Sequence, residues 1–201
     1  MLSIRSRVAG IGLAAGLMAG AVGSAQAQSR GIEVNGFAGL YAPTKTDGLE
    51  GTREALRRGS LAFGGRLTYW TGASLGVEGV AMFSPARARI TANSGSQFAR
   101  STKVLAVGGK VMLNLTPKSN LLGIALGAGP TMVRTTSPLA PDRDAAKSEI
   151  GGVGGLALRI HLGENLALRG DAEDYFYSTD LGFGKKLTHD VVLSGGLSIH
   201  F

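Results

Sequence analysis

The chain has no cysteine, one tryptophan and three histidines among its 201 residues. Without cysteine there is no disulfide framework, no zinc–thiolate centre and no thiol nucleophile. His161, His189 and His200 are isolated, none with a second histidine at metal-ligand spacing, so no metal ligand is assigned. "GGVGG" and "GAGPT" are glycine-rich, but neither is a strand-to-helix turn followed by Lys and Ser or Thr. No phosphate cradle and no cofactor are therefore expected. No apolar run reaches the roughly eighteen residues that a membrane-spanning helix needs. A dense run of one charge is missing too. Of the formal +7, two charges come from Arg5 and Arg7 and the rest are scattered, so nucleic acid is not an expected partner.

What is present starts with a leader. Arg5 and Arg7 precede "VAGIGLAAGLMAGAVG", and Ala25, Gln26 and Ala27 follow as an A-x-A pattern. A positive segment, a short apolar segment and small residues before a cut describe a cleaved signal peptide at 1–27. Residues 28–201 then form one domain.

Within it, apolar residues recur at every second position. The final stretch "VVLSGGLSIHF" places Val191, Leu193, Leu197, Ile199 and Phe201 on one phase, and Asp190, Ser194, Ser198 and His200 on the other. That is a strand with two different faces, and an apolar edge strand of this length needs a partner on both sides. The same period predicts eight strands, at about 31–41, 59–70, 75–84, 103–115, 121–130, 149–162, 166–177 and 189–201.

The connections sort themselves. "TGAS", "TPKSN" and "GEN" are tight turns, and they alternate strictly with four long polar connections, including "REALRRG" and "PARARI". A soluble sandwich gives no reason for such sorting. A closed membrane barrel does, with short turns on the periplasmic side and long loops outside. The expectation is an all-β, eight-stranded, antiparallel, up-and-down transmembrane β-barrel.

One phase is apolar almost throughout, including Leu61, Phe63, Leu67, Val107, Leu156, Leu158 and Ile160. The other phase holds four acids and four bases: Glu33, Arg66, Glu78, Lys110, Arg159, Arg169, Asp171 and Glu173. In a soluble barrel the apolar phase would line a ligand cavity; in a membrane barrel it meets lipid and the charges pair in the lumen. Loop sorting favours the second. So do aromatics at the strand ends, with Tyr69, Trp70 and Phe201 at turns and Tyr41, Phe83, Tyr175, Phe176 and Tyr177 at loops, as an interfacial girdle requires. Three positions strain the pattern. Asp174 falls on the lipid phase, and Phe37 and Tyr41 fall on the lumen phase unless a bulge shifts the first strand. Pro130 is expected to end the fifth strand near the rim.

A final Phe preceded by alternate apolar residues resembles the C-terminal signature of bacterial outer-membrane β-barrels, here carried by Leu197, Ile199 and Phe201 with glycine at one apolar position. The whole layout resembles the small outer-membrane β-barrel domain family, which includes the transmembrane domain of outer-membrane protein A. The resemblance implies residence in the bacterial outer membrane, contact with its lipids and lipopolysaccharide, engagement of the barrel assembly machinery during biogenesis, and a monomer.

An eight-stranded barrel has room inside for little but side chains. Arg66 and Glu78 flank one turn at similar depth, and Arg159 and Arg169 flank "GEN" with Asp171 and Glu173 nearby. Such pairs either hold the barrel shut or line a gated polar path. Small barrels of this kind include lipid A deacylases and palmitoyltransferases, but the residue two places after His189 is Val191, so the H-x-S pairing of deacylases is missing. No catalytic residue is assigned. The expected function is a non-enzymatic structural, surface-interaction or narrow-channel role, the basic loops with Arg53, Arg57, Arg58, Arg87 and Arg89 facing outward. The alternatives are a lipid A-modifying enzyme and a soluble periplasmic barrel holding an apolar ligand.

Overall fold

The computed structural model describes residues 31–43, 55–91, 97–117, 119, 121–136, 146–180 and 185–201. The leader at 1–27 and Arg53 lie outside the described residues. Nine strands and no helix are found among those described: β1 (Gly31–Pro43), β2 (Ala55–Arg58), β3 (Ser60–Trp70), β4 (Leu75–Thr91), β5 (Gln97–Asn114), β6 (Leu122–Thr136), β7 (Ala146–His161), β8 (Leu166–Asp180) and β9 (Lys185–His200). All pairings are antiparallel. β2 pairs only with the far end of β4, so eight strands form the wall, and β1 against β9 closes it.

Closure explains the apolar C-terminal run. β9 pairs with β8 on one side and with β1 on the other, from Glu33↔His200 to Pro43↔Asp190. The seam is finished by Phe201 N–H donating to the Ile32 carbonyl at 2.9 Å and Ile32 N–H donating to the Phe201 carbonyl at 3.2 Å. A strand paired on both sides offers no edge. The three tight turns lie at the same end as this seam. Thr71 N–H caps the first by donating to the Leu75 carbonyl at 2.9 Å, and His200 N–H reaches the Asn165 carbonyl of the third at 2.9 Å.

The alternation of faces decides which side is apolar. Leu61, Phe63, Leu67, Val107, Leu156 and Leu158 are 42–56% exposed on the outer wall. Arg66, Glu78, Lys110, Arg159, Arg169, Asp171 and Glu173 are at most 6% exposed, inside. This inverts the arrangement of a soluble barrel holding an apolar ligand, and that alternative is set aside.

Several expectations change. The strands run farther from the turn end than the sequence pattern indicates: β4 continues to Thr91, β5 starts at Gln97, and β6 passes Pro130 to reach Thr136. The ladder continues there through residues that do not alternate apolar with polar, as in Arg87↔Ser101 and Arg89↔Ala99. In β6 two of the three inward residues past Pro130 are Thr131 and Thr135, so pairing rather than an apolar phase marks these ends. The "ALRR" of the basic connection, expected as loop, is likewise a strand, paired from Ala55↔Ile90 to Arg58↔Arg87. Pro130 sits inside β6, and the β5–β6 pairing lapses at Gly129 and Pro130, where the missing N–H cannot contribute, before Val111↔Ala128 restores it.

No bulge is needed in β1, whose register with β3 is unbroken from Gly31↔Trp70 to Tyr41↔Ser60. Phe37 and Tyr41 are therefore inside the lumen, 7% and 1% exposed. The aromatic girdle is accordingly smaller than expected. Tyr69, Phe83, Phe176 and Phe201 do face outward, whereas Trp70, Tyr41, Tyr175 and Tyr177 are buried inside. Position near a strand end marks height in the wall; only parity tells inside from outside.

The outer wall generates a depth test. Val107, midway along the apolar belt, and Leu113, beside the turns, both point outward. Val107→Arg is expected to lower unfolding stability in lipid vesicles by about 2–4 kcal/mol, and Leu113→Arg by no more than about 1 kcal/mol. Denaturant titration of each variant measures the difference; equal penalties would contradict a lipid-facing belt.

Candidate functional site

The lumen is layered. Nearest the turns, Trp70, Met112, Ala125 and Ala157 form a small apolar cluster. Beyond it lies a continuous network of charges. Beyond that, Phe37, Tyr41, Met82, Val104, Tyr175 and Val192 belong to a larger apolar cluster.

The network begins where the ladder sets like charges side by side. Arg159 and Arg169 are direct partners across β7 and β8. Uncompensated, two cations at such a position repel and destabilise the pair. Glu33 of β1 spans both, accepting from Arg159 Nη1 at 3.0 Å and from Arg169 Nη1 at 3.1 Å. Its carboxylate also accepts from Ser198 Oγ at 2.8 Å and from Trp70 Nε1 at 3.1 Å. Arg169 continues outward, donating to Asp171 and lying 2.7 Å from Glu78 Oε2.

Glu78 and Lys110 are opposed in register on β4 and β5, with Nζ 2.8 Å from Oε1. Lys110 also reaches Glu173, and Arg66 joins Glu173 at 2.8 Å and Asp171 at 3.2 Å. Asn35, Thr68 and Ser194 supply neutral partners at 2.7–2.9 Å. All eight charges expected on the lumen phase thus meet in one hydrogen-bonded cluster. The closest partners differ from those that turn spacing suggested. Arg66 lies 3.9 Å from Glu78 and is better joined to Glu173, because strand tilt carries β8 past β3 in height.

Two connections tie the charges to the apolar layers. The Arg66 guanidinium lies over the Phe37 ring at 3.8 Å, and the ring in turn lies against Gly64, its register partner. A Cβ on Gly64 would stand 2.7 Å from Phe37 Cε1, so only glycine leaves the ring its place. At the other end, the Arg159 guanidinium lies over Trp70 at 4.4 Å.

The outer half of the lumen holds a polar group that the eight charges do not include. Asp190, 1% exposed, accepts from the hydroxyls of both Tyr41 and Tyr177 at 2.5 Å. Asp190 shares the lumen phase with Ser194 and Ser198, which was the available signal; the tyrosines were masked by their place at strand ends. Asp174, on the outer phase, is half-exposed and meets His189 Nδ1 at 2.9 Å. His189 thus lies on the outer wall near the loop end, while Ser198 and His200 lie at the turn end, Ser198 bonded to Glu33 and His200 stacked on His161 with centroids 5.7 Å apart. Leu197, Ile199 and Phe201 project from the outer wall, 54%, 47% and 77% exposed.

The sequence matches no protein-family profile and no curated protein. Solved structures do match it. The outer membrane protein OprG from Pseudomonas aeruginosa superposes with a TM-score of 0.65 at 16% identity, covering 87% of this chain and 97% of that one. Neisserial surface protein A gives 0.57 at 14% identity, covering 88% and 100%. The N-terminal β-barrel domain of Pseudomonas aeruginosa OprF gives 0.53 at 10% identity, covering 86% and 98%. The fold is that of the small outer-membrane β-barrels.

The shared carboxylate of Glu33 yields a test of the network. Glu33→Gln leaves two guanidiniums in register with no anion between them, and is expected to cost about 3–5 kcal/mol of stability. Adding Arg159→Gln removes the repulsion and is expected to recover more than half of that loss. A double-mutant cycle in denaturant reads the coupling; strictly additive losses would mean that Glu33 does not hold the two arginines together.

Proposed function

We propose that this chain is a non-conducting, non-enzymatic integral protein of the bacterial outer membrane, a monomer that serves as a closed scaffold for its surface loops. The observation that carries this reading is the filled lumen. Four acids and four bases neutralise one another across it, and an apolar cluster covering them includes side chains of at most 7% exposure. A hydrated path would have to break buried ion pairs and then wet an apolar layer, both costly. The outward apolar wall suits lipid, and the basic residues Arg57 and Arg58 of β2 and Arg87 and Arg89 of β4, with Arg53 shortly before β2 in the sequence, suit contact with lipopolysaccharide phosphates. The leader at 1–27 suits export of 28–201.

Leu197, Ile199 and Phe201 serve as the signal for the assembly machinery. The Phe201 ring is 77% exposed and lends little to packing, while its backbone completes the seam. Recognition by another protein gives such a ring a use that folding alone does not.

Two measurements test these statements. Purified protein in planar bilayers is expected to give no unitary current steps under applied voltage; steady steps from a single population would overturn the closed-lumen reading. Phe201→Ala, which keeps the backbone seam, is expected to lower the heat-modifiable, membrane-inserted form in cells severalfold while leaving refolding into detergent unchanged. Equal insertion in cells would remove the assembly role.

A further inference from the structure

We propose that the turn end of the barrel is a binding site for a small oxyanion, a phosphate or carboxylate group, held by Arg159 above the ring of Trp70. This does not depend on whether the lumen conducts. A cavity of about 950 Å³ opens among the turns, and Trp70, Arg159, His161, Glu164 and His200 are on its lining.

Arg159 differs from the other lumen cations. Arg169 meets Glu33, Glu78 and Asp171, and Arg66 meets Asn35, Asp171, Glu173 and Ser194. Lys110 has Glu78 and Glu173. Arg159 has a single carboxylate, Glu33, which it shares with Arg169, and it reaches it through Nη1 alone. Its Nε and Nη2 have no hydrogen-bond partner although the side chain is only 5% exposed. Buried donors of a charged group left without acceptors are expensive, and a guanidinium presents its N–H groups as a fork matched to an oxyanion.

Two further nitrogens at this mouth also stand without partners. They are Nδ1 of His161 and Nε2 of His200, on rings stacked 5.7 Å apart. The Arg159 guanidinium lies over the Trp70 ring at 4.4 Å, and the ring is held by its own Nε1 donating to Glu33 at 3.1 Å. The arrangement therefore places a cation with unpaired, nearly buried N–H groups, two ring nitrogens that donate or accept according to tautomer, and an aromatic ring around one open cavity. Glu164, exposed on the third turn, is the acidic side chain of the lining, and its charge opposes an anion at the mouth.

The chain carries one tryptophan, and it is Trp70, so its emission reports on this site directly. The protein, purified in a phosphate-free maltoside detergent, is titrated with inorganic phosphate and with succinate at constant ionic strength, chloride serving as the comparison. A saturable emission change with the oxyanions, absent with chloride, is expected. Arg159→Gln should raise the half-saturation concentration about tenfold or more. If that variant loses the heat-modifiable folded form, Arg159→Lys keeps the charge beside Glu33 but removes the forked donors, and should weaken binding in the same direction. No saturable response, an equal response to chloride, or a response untouched by substitution of Arg159 would overturn the proposal. Repeating the titration in phospholipid nanodiscs separates the sources. An unchanged response means a free solute fills the site; a response already saturated before phosphate is added means that a lipid headgroup does.

Discussion

The seam between β1 and β9 is the constraint on which the rest depends. Hydrocarbon offers no partner to a backbone N–H or carbonyl, so a sheet in lipid must use every one of them internally, and only closure achieves this. Once Ile32 and Phe201 exchange their hydrogen bonds, the parity of every strand is fixed relative to its neighbours. A slip of one residue in β3 would turn Leu67 inward and Arg66 outward, and a slip in β7 would do the same to Leu156 and Arg159. The apolar belt and the charged interior are thus one decision, made by pairing.

Closure also creates the difficulty that the interior then solves. A barrel of eight strands is too narrow for bulk water to solvate ions, so its lumen charges must satisfy one another. The ladder does not always help. It opposes Glu78 to Lys110, which is favourable, but it also opposes Arg159 to Arg169. Glu33 relieves that repulsion from across the lumen, which is possible only because β1 and β7 lie within side-chain reach in so small a ring. The resulting network is specific because each acid serves several cations. A core of leucines would fill the same space without fixing which strand stands at which height.

Much of this was legible in the sequence, for identifiable reasons. Parity is exact in a strand, so the eight charges and the apolar belt could be assigned to opposite faces without any three-dimensional information. Loop length marked the turn end because the three tight connections all close hairpins at one end of the strands. What was hidden depends on strand tilt and on the loss of contrast outside the membrane. Arg66 meets Glu173 better than Glu78 because tilt shifts heights between strands that are distant in sequence. Arg87 and Arg89 looked like loop because their stretch does not alternate apolar with polar, although its backbone is laddered to β5. Trp70, Tyr41, Tyr175 and Tyr177 were read from their place near strand ends as interfacial anchors, when the parity of each already placed it inside.

Those four aromatics change how the interior works. Tyr41 and Tyr177 bring hydroxyls to Asp190 at the outer end, and Tyr175 donates to Glu173 at 3.2 Å, so the apolar layer is sewn to polar groups on both sides. Trp70 does the same at the turn end through Glu33 and Arg159. An aromatic with a polar handle can bury its ring against a neighbour and still complete a hydrogen-bond network, which neither leucine nor arginine does alone. The two ends of the lumen are nevertheless unlike. Toward the loops the charges are capped by Phe37 and Met82, whereas toward the turns Arg159 keeps unused donors beside an open cavity. Among the described residues the lumen charges are therefore covered more fully toward the loops than toward the turns.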